Sequence, residues 1–295
     1  MDEHRPGRAK EFLRHLRLLE IPVRLPTAED DELLLPRRGR GALLLDFYSP
    51  EAVVEALERY GVTARLAARG FAAPTVELDT SDPLHQIVRV RAARDGREGC
   101  VGEAFLRAGS FETDAPFAEA LHGRRLTLLF IQWLRLQDPT RSFTAERPSL
   151  PGQDHPGLGV GREVMEMFLG MADRLHFGGI VSCPEFAHNA VLYAAEFRFL
   201  DPAAQGRFDA LREACAGLPL TELAWGVDRG CLLDDATGAS VAWAREEMVR
   251  PTDPALQEHF ASEAYLARVD AARRACRWRF DRSRLPVLTP NGPQP

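Results

Sequence analysis

The segment that most constrains the fold is Leu126–Leu136, which is apolar on both faces when it is written as an extended strand. A strand with two apolar faces must be covered on both sides, so it belongs in the middle of a sheet. Upstream, Ile87–Arg91 and Cys100–Leu106 have strand-like patterns on either side of Asp95-Gly96, a dipeptide typical of tight hairpins. The sequence therefore predicts an α/β fold with Leu126–Leu136 at its centre.

A second constraint is a turn with glycine at alternate positions, Pro156–Arg162, which runs directly into an amphipathic helix predicted from Gly161 to Leu175. Gly157, Gly159 and Gly161 leave no side chains in the way, so the backbone N–H groups can converge on an anion. The helix directs the positive end of its dipole to the same place. This arrangement is typical of a phosphate or pyrophosphate site.

Two common classes of phosphate-binding loop are excluded by the flanking residues. A Walker loop ends in Gly-Lys-Ser/Thr, whereas this turn ends in Gly161-Arg162-Glu163. A dinucleotide fingerprint needs its glycines directly after a strand, and here the third glycine comes one position early. Residues 138–155, which contain prolines and have no periodicity, separate the glycines from the strand and predict a long loop. The remaining familiar use of such a turn is to bind the pyrophosphate of coenzyme A.

Beyond the turn, the pattern predicts a helix, a strand and a second helix. The apolar stripe of the first helix is formed by Val164, Phe168, Met171, Ala172 and Leu175. Glu163, Glu166 and Asp173 are expected on the opposite, solvated face. Ile180–Cys183 is predicted as a short strand, and Ala187–Glu196 as the second helix.

This order of elements resembles the GNAT superfamily of acyl-coenzyme A-dependent N-acyltransferases. The matching residues are Gly159-Val160-Gly161 with Arg162, then Asn189-Ala190-Val191-Leu192-Tyr193, and finally Phe197-Arg198-Phe199. In that family a hairpin leads to a central strand, a glycine turn and helix bind the coenzyme A pyrophosphate, and a fifth strand leads to a helix with an Asn/Ala/Tyr pattern. The resemblance covers roughly residues 80–205. The chain departs from the family at Pro156, where Arg or Gln is usual, and in its Asn-to-Tyr spacing and final Gly-Phe.

The resemblance implies a GNAT-like mixed sheet flanked by helices and roles for individual residues. Tyr193 would protonate the departing thiolate, and Glu185 would deprotonate the acceptor amine. The alternatives are a core tyrosine with its hydroxyl at the rim and a solvated carboxylate at a helix start. Glu103 is a second candidate base, expected on the same strand face as Val101 and Phe105, where it is costly unless paired. The residues implied in cofactor binding are Gly157, Leu158, Gly159, Val160, Gly161, Arg162 and Asn189.

The chain is expected to divide into an N-terminal helical or α+β module (1–80), an acyl-coenzyme A-binding core (81–210) and a C-terminal extension (211–295). In the first module, residues 10–19 and Glu51–Tyr60 have helical patterns, the latter starting at Ser49-Pro50 and ending at Gly61. The short apolar run Ala42–Phe47 lies between them.

The C-terminal extension is predicted to contain strands, one helix and a frayed tail. The strands expected are Leu223–Asp228, Cys231–Leu233 and Ser240–Trp243, with a turn at residues 234–238. The helix is expected from Pro254 to Arg274, with Phe260, Tyr265, Val269 and Ala272 on one stripe. Pro286–Pro295 is expected to be a frayed, proline-rich tail. The extension would complete the sheet or cover the acceptor site.

Composition and charge exclude several classes of function. The net charge is −6 with acidic and basic residues interleaved, so the basic stripe of a nucleic-acid-binding protein is not visible. No apolar run approaches the length of roughly 18 residues that a membrane span needs. The N-terminus lacks the features of a signal peptide, so a cytoplasmic location is expected.

Other catalytic and metal-binding classes find no support in the sequence. The five cysteines are odd in number and widely spaced, which indicates neither a disulfide framework nor a zinc motif. No Gly-x-Ser-x-Gly elbow is present. His155, His188 and Glu185 do not make a complete ligand set, so no metal is expected.

The function predicted from these features is acyl transfer, with acetyl-coenzyme A as the expected donor and a small-molecule or peptide amine as acceptor. A longer acyl donor is one alternative. The other is a non-catalytic protein that keeps the fold as a ligand-binding or interaction module.

Overall fold

A computed structural model describes residues 13–19, 43–82 and 84–294 of the chain. The strands are β1 (Arg17–Leu19), β2 (Thr75–Asp79), β3 (Gln86–Arg94), β4 (Arg97–Glu112), β5 (Leu126–Leu136), β6 (Gly179–Ser182), β7 (Arg198–Phe199), β8 (Leu232–Asp234), β9 (Met248–Pro251), β10 (Trp278–Phe280), β11 (Leu288–Thr289) and β12 (Gly292–Pro293). The helices are α1 (Pro50–Arg59), α2 (Val62–Ala67), α3 (Gly161–Arg174), α4 (Ala187–Tyr193), α5 (Pro202–Ala214), α6 (Leu220–Asp228), α7 (Pro254–Ala261) and α8 (Glu263–Ala275).

One mixed sheet organises the molecule, and its central strand is the one that the sequence predicts. Seven strands lie in the order β2-β3-β4-β5-β6-β9-β7, and β1 pairs with the far end of β4. β5 and β6 are parallel, whereas the other neighbours in this sheet are antiparallel. The predicted hairpin is confirmed: Asp95 and Gly96 connect β3 to β4, both with positive φ, as a tight hairpin turn requires.

Both faces of the sheet are covered, as the two apolar faces of β5 require. Leu129 and Ile131 pack into a core with α1, α2 and α3. Leu128 and Phe130 face the other way, into a core that includes Leu256 of α7. A third apolar cluster lies between α4, α5, α6 and β8.

The helix after the glycine turn forms as predicted, with one exception. Its predicted apolar stripe is buried. Glu163, however, was expected in solvent and is buried instead, because α2 packs beside it. Arg65 of α2 forms an ion pair with Glu163, with Nη2 2.9 Å from Oε1. A buried carboxylate at the first turn of a helix is stabilised by that partner and by the helix dipole.

The helix predicted over residues 10–19 is wrong for the part that the structure describes, residues 13–19. There, Arg17–Leu19 forms β1, which pairs with the last residues of β4. Since β3 pairs with β4 only as far as Leu106, the edge of β4 beyond it carries backbone groups that β1 satisfies. Residues 10–12 and Ala42 lie outside the described residues.

The second predicted helix of this region is confirmed as α1. Ser49 Oγ accepts a hydrogen bond from Ala52 N at 3.2 Å, Pro50 is the first helical residue, and Gly61 follows with φ 79°. The described part of the apolar run before it forms a tight turn, in which Leu44 bridges to Tyr48.

The predicted strand Leu223–Asp228 is wrong, because this segment lies in α6. Leu223 and Val227 share one helical side and pack into the cluster with α4 and α5, and Ala224 is also buried. A short apolar run is compatible with either a buried strand or a buried helix, so the pattern alone did not decide. The predicted strand Cys231–Leu233 is confirmed as β8. The predicted strand Ser240–Trp243 does not form as a strand, and it has only one β-bridge, from Ser240 to Leu233.

The last predicted helix is broken and the tail is ordered. Ser262 ends α7 and starts α8, where its Oγ accepts a hydrogen bond from Tyr265 N at 3.2 Å. The expected frayed tail forms the β11–β12 hairpin in its described part. Ser149 N donates to Pro290 O at 2.8 Å and attaches this hairpin to the long loop.

The sheet takes strands from all three segments into which sequence patterns divide the chain, since β2, β5 and β9 all belong to it. Within the described ranges, no helix combines the length and hydrophobicity needed to cross a bilayer.

Candidate functional site

The pairing between β5 and β6 stops before β5 ends. Their parallel pairing covers only Leu129–Ile131 and Ile180–Ser182. The glycine turn returns to β5 at its last residue, where Leu158 N donates to Leu136 O at 3.0 Å. Between these points, Gln132–Arg135 have β4 on one side and, among the described residues, no strand on the other. An open backbone edge is therefore present inside the sheet.

A β-bulge lies at the start of this open edge. Phe105 and Leu106 of β4 pair with Trp133 and Ile131, so Gln132 is the extra residue. Its Oε1 lies 2.9 Å from His85 Nδ1. Because a bulge bends its strand and increases the local twist, Gln132 marks the point at which β5 turns away from its parallel partner.

The glycine turn alternates between buried and exposed residues. Leu158 and Val160 are 2% and 0% exposed and anchor the turn in the core, whereas Gly157, Gly159 and Gly161 are exposed. Gly159 has φ 62°, a left-handed conformation that favours glycine. The spacing thus leaves one side of the backbone bare toward solvent.

The start of α3 presents backbone N–H groups at the same place, of which that of Glu163 is bound by its own carboxylate. Val160 is its N-cap and makes no side-chain capping bond. The first intrahelical bond runs from Val164 N to Val160 O, at 3.0 Å. The N–H groups of the preceding helical residues have no carbonyl partner within the helix, and the helix dipole adds positive potential there. This end of the helix is suited to an anion.

Arginines from outside the motif surround the turn. Arg69, just after α2, lies so close to Gly159 that a β-carbon there would be 3.1 Å from its Nη2. Burial, together with the positive charges of Arg147 and Arg65, lowers the pKa of Arg69, although a guanidinium remains charged. An anion at the turn would relieve this repulsion. Arg162 is exposed, with Nε 3.4 Å from Glu166 Oε1.

The long loop over residues 138–155 is held at both ends. At its start, Asp138 forms a buried ion pair with Arg94, with Oδ2 2.9 Å from Nη1. Near its end, Trp225 Nε1 of α6 donates to Ser149 O at 2.8 Å. The absence of regular helix or strand from this loop is as predicted.

Tyr193 is the last residue of α4, on the segment that follows β6. It is half-buried, and its ring centroid lies 5.6 Å from that of Phe197. No hydrogen bond of its hydroxyl to another described residue is present. Burial raises the pKa of Tyr193 above its ordinary value, so the hydroxyl keeps its proton at neutral pH.

Glu185 and Asn189 lie on the same segment as Tyr193. Glu185 is half-exposed and paired with Arg245, with Oε1 2.6 Å from Nη2. Asn189 is half-buried in the first turn of α4, and its N donates to Phe186 O at 3.0 Å. The glycine turn follows β5 and these residues follow β6, so the structure brings the two groups to the carboxyl ends of neighbouring parallel strands.

Strand alternation predicts Val101 on the same face as Glu103, and this part of the prediction is wrong. Val101 is the extra residue of a bulge between β3 and β4, so it faces the core with α3 while Glu103 faces the other side of the sheet. Glu103 accepts hydrogen bonds from Arg89 Nε at 3.0 Å and Arg135 Nη2 at 3.1 Å. Its charge is therefore compensated twice, which offsets the cost of its burial.

Neither of the two histidines considered from sequence belongs to a group of three or more possible metal ligands among the residues that the structure describes. His155 is half-exposed, and its N donates to Gln137 Oε1. His188 is buried, stacks on Phe186 with centroids 5.6 Å apart, and has its pKa lowered by burial to about 4. The metal-compatible group found among the described residues lies elsewhere, at His15, Asp201 and Glu246.

Sequence comparison gave no family for this chain: no protein-family model matches it, and no curated protein matches it significantly. Its functional interpretation therefore depends on its residues and their geometry.

The sequence patterns do not identify Arg65 and Arg69 as neighbours of the glycine turn. Their only local signal is a spacing of four, which would place both on one face of a helix, but α2 ends before Arg69. The proximity of Arg69 to Gly159 and the ion pair of Arg65 with Glu163 arise from the packing of the α2 region beside α3, which the sequence does not predict.

Proposed function

We propose that this chain is a coenzyme A-dependent N-acyltransferase with a GNAT-like sheet. The observation that carries the proposal is the open edge at Gln132–Arg135. This edge ends at the glycine turn, where the N-cap of α3 makes no side-chain capping bond and Arg69 lies close to Gly159. The open edge of β5 can pair with the amides of an extended ligand, and the glycine turn can bind an anionic group at the end of that ligand.

Coenzyme A has that chemistry. The amides of its pantetheine arm would pair with the free backbone edge of β5, as an added strand does. Its pyrophosphate would accept hydrogen bonds from the turn and the start of α3. Arg69 and Arg162 would add charge-assisted hydrogen bonds to phosphate oxygens. The thioester would then lie between the ends of β5 and β6.

The reaction that suits this arrangement is direct transfer to an amine. The amine nitrogen attacks the thioester carbonyl, the C–N bond forms, and the C–S bond breaks to release coenzyme A thiolate. Glu185 would accept the proton lost by the amine, and Tyr193 would donate its proton to the thiolate. Holding both substrates together supplies several kcal/mol of the barrier reduction, and no covalent enzyme intermediate is required.

One observation favours a second candidate function, a non-catalytic coenzyme A-binding or interaction module. Both carboxylates considered as bases are already paired, Glu185 with Arg245 and Glu103 with Arg89 and Arg135. A carboxylate in an ion pair is a weaker base than a free one. Glu185 is the better candidate of the two, because its side chain is 30% exposed and that of Glu103 is 13% exposed.

The two functions are separated by a transfer assay. The full chain is incubated with acetyl-coenzyme A, then with longer thioesters, in the presence of a panel of amines and peptides. Release of free thiol that depends on an amine, with the acylated amine found by mass spectrometry, is the expected result. Binding of coenzyme A without amine-dependent thiol release would support the non-catalytic module.

A further inference from the structure

We propose that His15, Asp201 and Glu246 form a binding site for one divalent transition-metal ion, with Zn²⁺ as the expected ion. The residues come from the segment before β1, the N-cap of α5 and the segment before β9. These elements are not those of the glycine turn, so the proposal does not rest on the proposed acyl transfer.

The three ligand atoms have separations that suit one shared ion. His15 Nε2 lies 3.7 Å from Glu246 Oε2 and 4.0 Å from Asp201 Oδ2, and all three atoms lie within 4.8 Å of one another. These separations are too long for direct hydrogen bonds. Ligands held about 2.0–2.2 Å from a tetrahedral zinc lie about 3.4 Å apart, so a small contraction would complete the site.

Two buried atoms in the cluster, which lie 3.7 Å apart, have no hydrogen bond to a described residue. Glu246 has a side chain only 2% exposed, and its Oε2 makes no hydrogen bond to a described residue. The same holds for His15 Nε2, which Glu246 Oε2 faces. A buried carboxylate oxygen and an imidazole nitrogen that are both unsatisfied are costly, and a cation between them would satisfy both.

The other oxygen of each carboxylate is already held in place. Glu246 Oε1 accepts hydrogen bonds from Arg14 Nη1 and Arg207 Nη2, each at 2.8 Å. Asp201 Oδ1 accepts one from Ala203 N at 2.8 Å and caps α5. Each carboxylate therefore presents its second oxygen to His15, which is how outer partners orient metal ligands.

The histidine is positioned by the backbone around it. Glu247 Oε1 accepts hydrogen bonds from the backbone N–H groups of Arg14, His15 and Leu16. The His15 ring also packs edge-on against Phe117, with centroids 4.9 Å apart.

The charge balance leaves room for a cation. The three carboxylates of Asp201, Glu246 and Glu247 exceed the two guanidinium groups of Arg14 and Arg207 by one charge, and the interaction with Glu246 raises the pKa of His15. A divalent ion bound in place of that proton would also offset the surplus. Arg207 and Glu246 also line a cavity of about 200 Å³ whose other walls include Trp243 and Trp278. A zinc ion held by these three side chains would take water as its fourth ligand.

The test measures zinc binding to the full chain, purified without a histidine tag and treated with a chelator. Isothermal titration with Zn²⁺ should give one ion per chain, and Asp201→Asn should weaken the affinity at least about tenfold. Asparagine caps a helix as well as aspartate does, so this variant should still fold. His15→Gln should have a similar effect. The control is His176→Asn, which removes an exposed histidine at the end of α3 and should bind as the wild type does.

The proposal is overturned if the folded wild type binds neither Zn²⁺ nor Mn²⁺ at one equivalent. It is also overturned if Asp201→Asn and His15→Gln bind zinc as tightly as the wild type. In the second case the ion would occupy another site. Circular dichroism of each variant establishes that it is folded before the affinities are compared.

Discussion

The guanidinium of Arg69 lies directly over Gly159, so close that a β-carbon on this glycine would be 3.1 Å from Nη2. The family that the sequence resembles usually has Arg or Gln where this chain has Pro156. Arg69 brings a positive charge to the same turn from a distant part of the chain. In the function proposed above, the exposed turn, the helix N-terminus and this arginine together bind the anionic end of the ligand.

Replacing Arg69 by Gln should weaken coenzyme A binding with little change in stability. Loss of a charge-assisted hydrogen bond costs about 1.5–3 kcal/mol, or roughly 10- to 150-fold in the dissociation constant. Calorimetric titration with coenzyme A measures the effect. Arg59→Gln, an exposed arginine at the end of α1, is the matched control and should bind normally. Equal affinities for the two variants would remove Arg69 from the site.

Alanine at Gly159 should be harmful and alanine at Gly157 should not. Gly159 has φ 62°, where a side chain costs about 1–2 kcal/mol, and the added carbon would push against Arg69. A β-carbon on Gly157 would have Leu136 O as its nearest neighbour, at 3.9 Å, which is an ordinary van der Waals distance. Thermal unfolding and coenzyme A titration of both variants test the pair. Identical behaviour of the two variants would contradict the geometry of the turn.

Tyr193→Phe should lower turnover by about 10²- to 10⁴-fold while leaving coenzyme A affinity unchanged, as expected for the loss of a proton donor. Tyr265→Phe is the contrasting variant, because Tyr265 donates a buried hydrogen bond to Phe199 O at 2.6 Å. It should lose about 1 kcal/mol of stability or more and retain its turnover. A fully active Tyr193→Phe enzyme would exclude the proposed acid.

Glu185→Gln should lower turnover by about 10²-fold or more at neutral pH, because glutamine cannot accept the amine proton. Glu103→Gln should instead lower stability, since it weakens the pairing of Arg89 and Arg135. Turnover at saturating donor, measured beside urea unfolding, separates these effects. Unchanged turnover in Glu185→Gln, with turnover lost in a stable Glu103→Gln protein, would assign the base to Glu103.

Acidification should destabilise the fold through His188. Its pKa is lowered from 6.5 to about 4 by burial, so below pH 6.5 the unfolded chain binds a proton that the folded chain does not. Stability is lost as the pH falls, by about 2 kcal/mol at pH 5 relative to pH 7. Urea unfolding of the wild type and His188→Gln at both pH values tests this. Between pH 7 and pH 5, His188→Gln should lose about 2 kcal/mol less stability than the wild type. An equal loss in both proteins would show that His188 is not the group responsible.

The sequence predicts the centre of the molecule well because the signals there are local. The two apolar faces of Leu126–Leu136 identify β5, Asp95-Gly96 identifies the hairpin, and the stripe on α3 identifies the helix after the glycines. Each of these patterns is decided by residues within one element. The glycine turn could likewise be located from its own residues.

The errors arise where distant packing decides the outcome. The apolar run Leu223–Asp228 is equally compatible with a strand, and its burial against α4 and α5 makes it a helix. Because Val101 is an extra residue in a bulge, it lies on the opposite face of the sheet from Glu103 rather than on the same one. The position of Arg69 over Gly159, and the cluster around His15, depend on contacts between segments far apart in the chain, which no local pattern encodes.

The most direct test of the central claim is the thermal unfolding of the wild-type chain with coenzyme A and acetyl-coenzyme A. Saturation at 100 times the dissociation constant should add about 2.7 kcal/mol of stability, or roughly 5–10 °C in the midpoint. The account predicts such a rise with both compounds and a smaller one in Arg69→Gln at the same concentration. A cooperative unfolding transition that does not move with either compound would contradict a coenzyme A site at the glycine turn.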